Sequence, residues 1–226
     1  MLDFKAAIFD LDGTLIDSFK AWEHAYRKAL AAVNHRMTDA EFIELYHMTG
    51  EESGGFFRGI YESKPNESVA ARTSFESFAD GILRDIWDEM VEQYALNAHG
   101  KPGALGYVKS LRERGVSLCV ATLTPSKLAE PVLARIGFLP FLDFVITSDD
   151  VGLSKKFPDI YLEAAKRLGR EPGETAVFED CPTAMQTAKK AGFIVYGVVD
   201  SHRGINLADF ASCYDWSVAS FEDLPG

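Results

Sequence analysis

Apolar residues fall along the chain in short dense runs, separated by longer segments of mixed polarity. Ala6–Phe9, Ser117–Ala121, Phe144–Thr147, Thr175–Phe178 and Ile194–Val199 are such runs. Their length and uniform apolarity predict strands buried on both faces, as in a parallel sheet. Gly106–Arg114, Lys127–Ile136, Ile160–Leu168 and Ala184–Ala191 lie between them and carry apolar residues at helical spacing. Gly115, Gly137, Gly169 and Gly192 follow these segments, where helices favour a left-handed cap. The alternation predicts an α/β fold with a Rossmann-like parallel sheet covered on both faces. In such folds ligands sit at the carboxyl ends of the strands.

Residues 18–97 break the pattern. No strand signal occurs there, and the apolar spacing is helical. Ala21–Val33 sets Trp22, Ala25, Tyr26 and Ala29 on one stripe, and Thr38-Asp39-Ala40-Glu41 fits a capping box. A longer helix is expected from about Ser74 to Tyr94, and Gly54-Gly55 and Lys64-Pro65-Asn66 are expected to break the interior of the helical region before it. The expected organisation is a discontinuous α/β core, 1–17 and 98–226, interrupted by an all-helical domain at 18–97.

Composition narrows the function. The 226 residues are 47% hydrophobic and 25% charged, as in an ordinary globular protein. A net charge of −11 argues against nucleic acid or an anionic membrane as the main partner. A small anionic substrate stays compatible, because a local cationic site overrides the global field. No apolar stretch approaches the roughly 20 residues needed to cross a bilayer. Met1-Leu2-Asp3-Phe4-Lys5 does not read as a leader, so a cytoplasmic location is expected. Cys119, Cys181 and Cys213 are too scattered for a disulfide framework or a zinc site. Nothing in the sequence sets the oligomeric state.

The chemistry gathers where the strands end. Asp10-Leu11-Asp12-Gly13-Thr14-Leu15 places two carboxylates two residues apart as the first run enters a glycine turn. If the extended conformation persisted, both side chains would share a face. Like charges so close resist joint ionisation unless a cation or a shared proton relieves them. A carboxylate pair beside free backbone N–H groups suits Mg²⁺ and phosphate. Later runs end in Thr122-Leu123-Thr124-Pro125-Ser126, in Ser148-Asp149-Asp150 ahead of Lys155-Lys156, and in Glu179-Asp180. Alone, each has a plain reading as turn hydroxyl, solvated lysine or helix cap. Together they offer the groups that a metal, a phosphate and a nucleophile require.

These motifs resemble the haloacid dehalogenase superfamily, specifically its phosphatases with a helical cap inserted after the first strand. The resemblance spans nearly the whole chain and rests on the Asp-x-Asp-Gly-Thr-Leu motif at 10–15, Thr122, Lys155 ahead of Pro158-Asp159-Ile160-Tyr161, and Glu179-Asp180. It implies a phosphoglycolate-phosphatase-like or β-phosphoglucomutase-like enzyme. Asp10 would be the nucleophile that forms an aspartyl phosphate. Asp12 would protonate the leaving alkoxide and later deprotonate water, with a pKa above that of a free Asp. Mg²⁺ would be held by Asp10, the backbone carbonyl of Asp12 and Asp180, with Glu179 bound directly or through water. Thr122, the N–H of Leu123 and Lys155 would surround the phosphoryl oxygens. The cap would close over the leaving group of a small phosphorylated metabolite.

Two local departures from the family pattern bear on these roles. Ser154-Lys155-Lys156 stands where relatives read Gly-Lys-Pro. A trans Lys155–Lys156 bond is therefore expected, and alignment favours Lys155 over Lys156 as the phosphate-facing lysine. Cys181 follows Glu179-Asp180 where relatives carry Ser, and reads as a packed or helix-start residue. His24, His47, His99, Arg58 and Lys64 read as surface or cap residues, and Phe56 and Phe57 as packing. A phosphosugar mutase sharing the same core residues is the close alternative. A phospho-receiver signalling module is the alternative of another class, set against it by the long helical insertion.

Overall fold

The computed structural model describes residues 4–47, 50–63, 74–151, 154–200, 202 and 206–225. The chain divides into two compact units, Met1–Ser18 with Ala98–Gly226, and Phe19–Asn97. The first begins with β1 (Ala6–Phe9) and β2 (Ile16–Asp17). The second contains α1 (Phe19–Ala32), α2 (Asp39–His47), α3 (Gly50–Ser63) and α4 (Phe75–Leu96). The first resumes with β3 (His99–Gly100), α5 (Ala104–Glu113), β4 (Ser117–Thr122), α6 (Ser126–Arg135) and β5 (Phe144–Thr147). It ends with α7 (Ser148–Val151), α8 (Asp159–Arg167), β6 (Thr175–Glu179), α9 (Pro182–Lys190), β7 (Ile194–Val198) and β8 (Trp216–Val218).

Six strands form one sheet in the order β5-β4-β1-β6-β7-β8, all paired in parallel. From β1 the chain steps outward through β4 and β5, then crosses to the other side for β6, β7 and β8. That reversal of strand order flanks β1, the place where open α/β sheets bind ligands. The five apolar runs are β1, β4, β5, β6 and β7, with β4 and β6 each one residue longer than expected and β7 one residue shorter. β8 was not expected. It is three residues long and mostly exposed at the sheet edge, so it lacks the apolar run that marks a buried strand. The two-residue strands β2 and β3 pair antiparallel and are likewise too short to leave a periodic signal.

The sheet is packed on both faces. On one, Ile8, Ala121, Ile146 and Val177 are buried with Ile160 and Tyr161 of α8 and Met185 and Ala188 of α9. On the other, the register pairs Phe9 with Phe178 and Phe178 with Tyr196. Their rings stack across three strands with centroids 4.6 Å apart at each step. Tyr107 of α5 meets Phe178 edge-on at 5.7 Å. Parallel-sheet register thus turns three sequence-distant aromatics into a continuous stack.

The helical unit has its own core. Ala21, Ala25, Ala29 and Leu30 are the buried stripe of α1, while Trp22 and Tyr26 are half-buried beside it. In α2 the capping box is formed: the Thr38 N–H donates to Glu41 Oε2 at 2.7 Å, and the Glu41 N–H to Thr38 Oγ1 at 3.2 Å. The expected break at Gly54-Gly55 does not occur, because both glycines lie inside α3. Ser53, Phe57 and Ile60 bury one face of that helix at i, i+4 and i+7. That packing outweighs the roughly 1 kcal/mol each glycine costs a helix. The Lys64-Pro65-Asn66 break lies outside the described residues. Among the described residues no helix is long and apolar enough to cross a membrane.

Phe178 lies at the centre of the stack and is fully buried. Phe178→Ala is expected to cost about 3–5 kcal/mol, read from the urea midpoint of unfolding at unchanged m-value.

Candidate active site at the strand ends

Asp10 is the first residue past β1. Its N–H donates to the Phe178 carbonyl at 2.9 Å, which places it level with Glu179, the last residue of β6. Thr122 is the last residue of β4 on the other side of β1. The sheet register therefore carries Asp10, Thr122 and Glu179 to neighbouring strand ends, although they are far apart in sequence.

Buried charge defines this corner. Asp10, Glu179 and Asp180 are all buried, and each offers a carboxylate oxygen within 4.8 Å of the others. The Lys155 ammonium, also buried, donates to Asp10 Oδ1 and, at 2.8 Å, to Glu179 Oε2. Tyr161 OH donates to the same Glu179 Oε2 at 2.8 Å. Glu179 Oε1 accepts the N–H groups of Asp180 at 3.2 Å and Cys181 at 3.1 Å. Thr14 Oγ1 reaches Asp180 Oδ1 at 3.3 Å. Burial, and then the Glu179 charge, push the Asp10 pKa well above the usual carboxylate value, against the opposing pull of Lys155. Burial disfavours the Lys155 charge, but Asp10 and Glu179 outweigh it and raise that pKa. Burial, reinforced by Glu179 and Asp10, keeps the Tyr161 hydroxyl firmly protonated. Three neighbouring carboxylates, two of them paired with one ammonium, form a hard, oxygen-rich, negatively charged set, which suits a divalent cation such as Mg²⁺.

The Asp12 carboxylate is not part of that set. The extended conformation stops at Phe9, and the chain folds so that the Leu11 carbonyl accepts the N–H groups of Leu15 and Ile16, both at 3.0 Å. The alternation that would aim Asp10 and Asp12 the same way is lost with the strand. Asp12 Oδ1 instead accepts Ser18 Oγ, and Oδ2 accepts Thr124 Oγ1, both at 2.6 Å. The turn depends on Gly13, whose φ is +83°. A Cβ there would lie 2.3 Å from Asp180 Oδ2 and 3.1 Å from Asp200 Oδ2.

The remaining expected residues fall as follows. Thr122 is buried, and its Oγ1 accepts the Thr124 N–H at 3.1 Å. The Leu123 side chain beside it is exposed. Lys155 lies in the cluster and Lys156 is exposed, joined by a trans peptide bond. Cys181 is half-buried and caps α9. In the helical unit, Arg58 lies over the Phe75 ring at 3.9 Å, His24 pairs with Glu89 at 3.1 Å, and Phe57 is buried. Lys64 and the His47 side chain lie outside the described residues.

Sequence reading missed several residues at this corner. Ser18 and Thr124 hold Asp12, Tyr161 holds Glu179, and buried Asp200 after β7 pairs with Lys101 at 3.5 Å. Of these, Thr124 stands in the polar stretch that follows β4 and Tyr161 carries a hydroxyl on the apolar face of a helix, but neither signal assigns a role.

Residues 4–192 match the hydrolase family described as haloacid dehalogenase-like hydrolase. The chain belongs to that family. This haloacid dehalogenase-like hydrolase is 32% identical to the validoxylamine A 7'-phosphate phosphatase of Streptomyces hygroscopicus subsp. limoneus, over 91% of each chain. It is 28% identical to the fructose-1-phosphate phosphatase YqaB of Escherichia coli, covering 84% of this chain and 93% of that one. Its fold also matches the crystal structure of CbbY from Rhodobacter sphaeroides in complex with phosphate. That match has a TM-score of 0.80 and 25% identity, and covers 99% of this chain and 97% of the other.

Gly13 is the tightest point of the hydrolase's site. Gly13→Ala is expected to lower stability by about 1–3 kcal/mol from backbone strain alone, with a further loss from displacing Asp180. Chemical unfolding measures the sum, and an effect under about 0.5 kcal/mol would contradict the close approach.

Proposed function

We propose that the protein is a Mg²⁺-dependent phosphatase that cleaves the phosphate monoester of a small metabolite, with a phosphorylated sugar or polyol as its substrate class. The observation that carries this reading is the buried Asp10, seated at the end of β1 between the Lys155 ammonium and the carboxylates of Glu179 and Asp180. The relatives named above, which act on phosphorylated small molecules, support it. Family membership favours turnover over the single phosphorylation of a receiver module.

In this reading an oxygen of Asp10 attacks phosphorus while the ester P–O bond breaks, leaving the phosphoryl group on Asp10. Asp12 passes a proton to the departing alkoxide oxygen. Water then attacks phosphorus and gives a proton to Asp12 as the P–O bond to Asp10 breaks. Inorganic phosphate leaves, Asp10 is again a carboxylate and Asp12 is again protonated. Ser18 and Thr124 hold Asp12 between two hydroxyls, outside the charge cluster, which suits a group that must carry a proton through the cycle. Thr122, the Leu123 N–H and Lys155 are the donors for the phosphoryl oxygens. Asp10, Glu179 and Asp180 are the side chains available to hold Mg²⁺, and the family resemblance adds the Asp12 backbone carbonyl. When bound, that cation supplies positive charge where charge gathers on the phosphoryl oxygens.

A phosphate-release screen over sugar and polyol phosphates with Mg²⁺ tests the reading. Asp10→Asn is expected to abolish turnover, and Asp12→Asn to lower kcat by about 10²–10⁴-fold. Full activity in Asp10→Asn would remove it as nucleophile. Lys155→Ala is expected to lower kcat/KM by on the order of 10²-fold or more, and Lys156→Ala to leave it within about twofold. The reverse result would exchange the two lysines.

A further inference from the structure

Glu179 presents a problem for any account that gives it to the cation. A carboxylate has about four lone-pair positions. Glu179 meets four donors from its own chain: Lys155 Nζ and Tyr161 OH on Oε2, and the N–H groups of Asp180 and Cys181 on Oε1. It is 1% exposed, so solvent gives it little surface on which to replace a lost donor. Ligation of a cation by Glu179 would require one of these donors to be given up.

Tyr161 is the donor whose presence is least explained by packing. It is fully buried in α8 among Ile160, Ala164 and Phe193, where a phenyl ring would serve the core equally well. A buried hydroxyl is costly unless hydrogen-bonded, and this one is spent on Glu179. The same ring lies 5.6 Å from Lys155 Nζ. Tyr161 therefore touches both partners of the Lys155–Glu179 pair, with its face toward the ammonium and its hydroxyl on the carboxylate.

We propose that Tyr161 is a positioning residue that fixes Glu179 as the anchor of Lys155, leaving the cation to Asp10 and Asp180. The proposal rests on the phosphatase reading above. With Glu179 held by Tyr161 OH on one oxygen and two backbone N–H groups on the other, its Oε2 is a fixed point. Lys155 is stretched between that point and Asp10 Oδ1. The ammonium thereby orients the carboxylate that attacks phosphorus, and small errors in such orientation are costly in rate. Without the hydroxyl, Glu179 gains rotational freedom, Lys155 follows it, and Asp10 loses its fixed partner.

The test uses the full chain carrying Tyr161→Phe, which keeps the ring and its packing and removes only the hydroxyl. Its expected signature is a fall in kcat of about tenfold at a KM unchanged within about threefold. Mg²⁺ affinity, measured by calorimetry with MgCl₂ alone, is expected to stay within about threefold of wild type. A kcat within about threefold of wild type would reduce Tyr161 to a core residue. A larger change in Mg²⁺ affinity would return Glu179 to the cation. Should Tyr161→Phe melt too low to assay, Glu179→Gln decides the same point: retained Mg²⁺ affinity supports the proposal, and a loss beyond about tenfold overturns it. Wild-type protein that binds Mg²⁺ yet releases no phosphate from any ester would remove the phosphatase reading, while the calorimetry would still place Glu179.

Discussion

The buried ammonium of Lys155, shared between Asp10 and Glu179, is the interaction on which the rest of the site depends. An ion taken from water loses several kcal/mol of solvation, which only close opposite charges and well-made hydrogen bonds repay. Lys155 repays it twice, through Asp10 and Glu179, but a third carboxylate, Asp180, lies beside those two. Two like charges about 4 Å apart repel by on the order of 4 kcal/mol at an effective dielectric near 20. The neighbouring groups divide that surplus among neutral donors: Tyr161 and two backbone N–H groups on Glu179, and Thr14 on Asp180. What those donors leave is a net negative corner enclosed by an apolar sheet.

The sheet makes this arrangement possible through register rather than through any local motif. β1 lies between β4 and β6, and the stacked rings of Phe9, Phe178 and Tyr196 fix the alignment of β1, β6 and β7 one residue below the charged level. A one-residue slip would turn every side chain to the opposite face. Asp10 and Glu179 thus meet because the aromatic layer beneath them is in register. Asp12, two residues on, belongs to a turn and has left the sheet. The two aspartates consequently sit in different surroundings, one among charges and one between hydroxyls, and differing surroundings are how like groups come to hold unlike roles.

The strands and the acids were legible in the sequence because both are local signals. A buried parallel strand is an apolar run, and Asp10, Thr122 and Glu179 stand where such runs end. Residues whose role arises only from folding were invisible. Ser18 and Thr124 carried no assigned role, yet they converge on Asp12, in the case of Thr124 across 112 residues of chain. Asp200 follows a strand but carries no motif, and its nearness to Gly13 is a consequence of β7 lying two strands from β1. Lys155 and Lys156 are chemically equal neighbours that alignment alone tells apart in the sequence, and burial separates them in the structure. Gly54-Gly55 erred in the other direction, since a propensity penalty spread over one helix was outweighed by a stripe of buried side chains.

Charge also bears on how the corner would receive a phosphate ester. The chain carries −11, and Lys155 is already committed to two carboxylates. Lys101 is likewise paired, with Asp200 after β7. A phosphate dianion approaching the protein alone therefore meets more negative charge than positive, both at long range and at contact. Under the proposed function, ester binding and cation binding must then be coupled, each raising the affinity for the other by the same factor. On that proposal, the acidic surplus that opposes an anionic substrate is also what favours a divalent cation at the site. Under the same proposal Lys155, paired with Glu179 and Asp10, both orients Asp10 and offers the buried ammonium of this cluster to the phosphoryl oxygens.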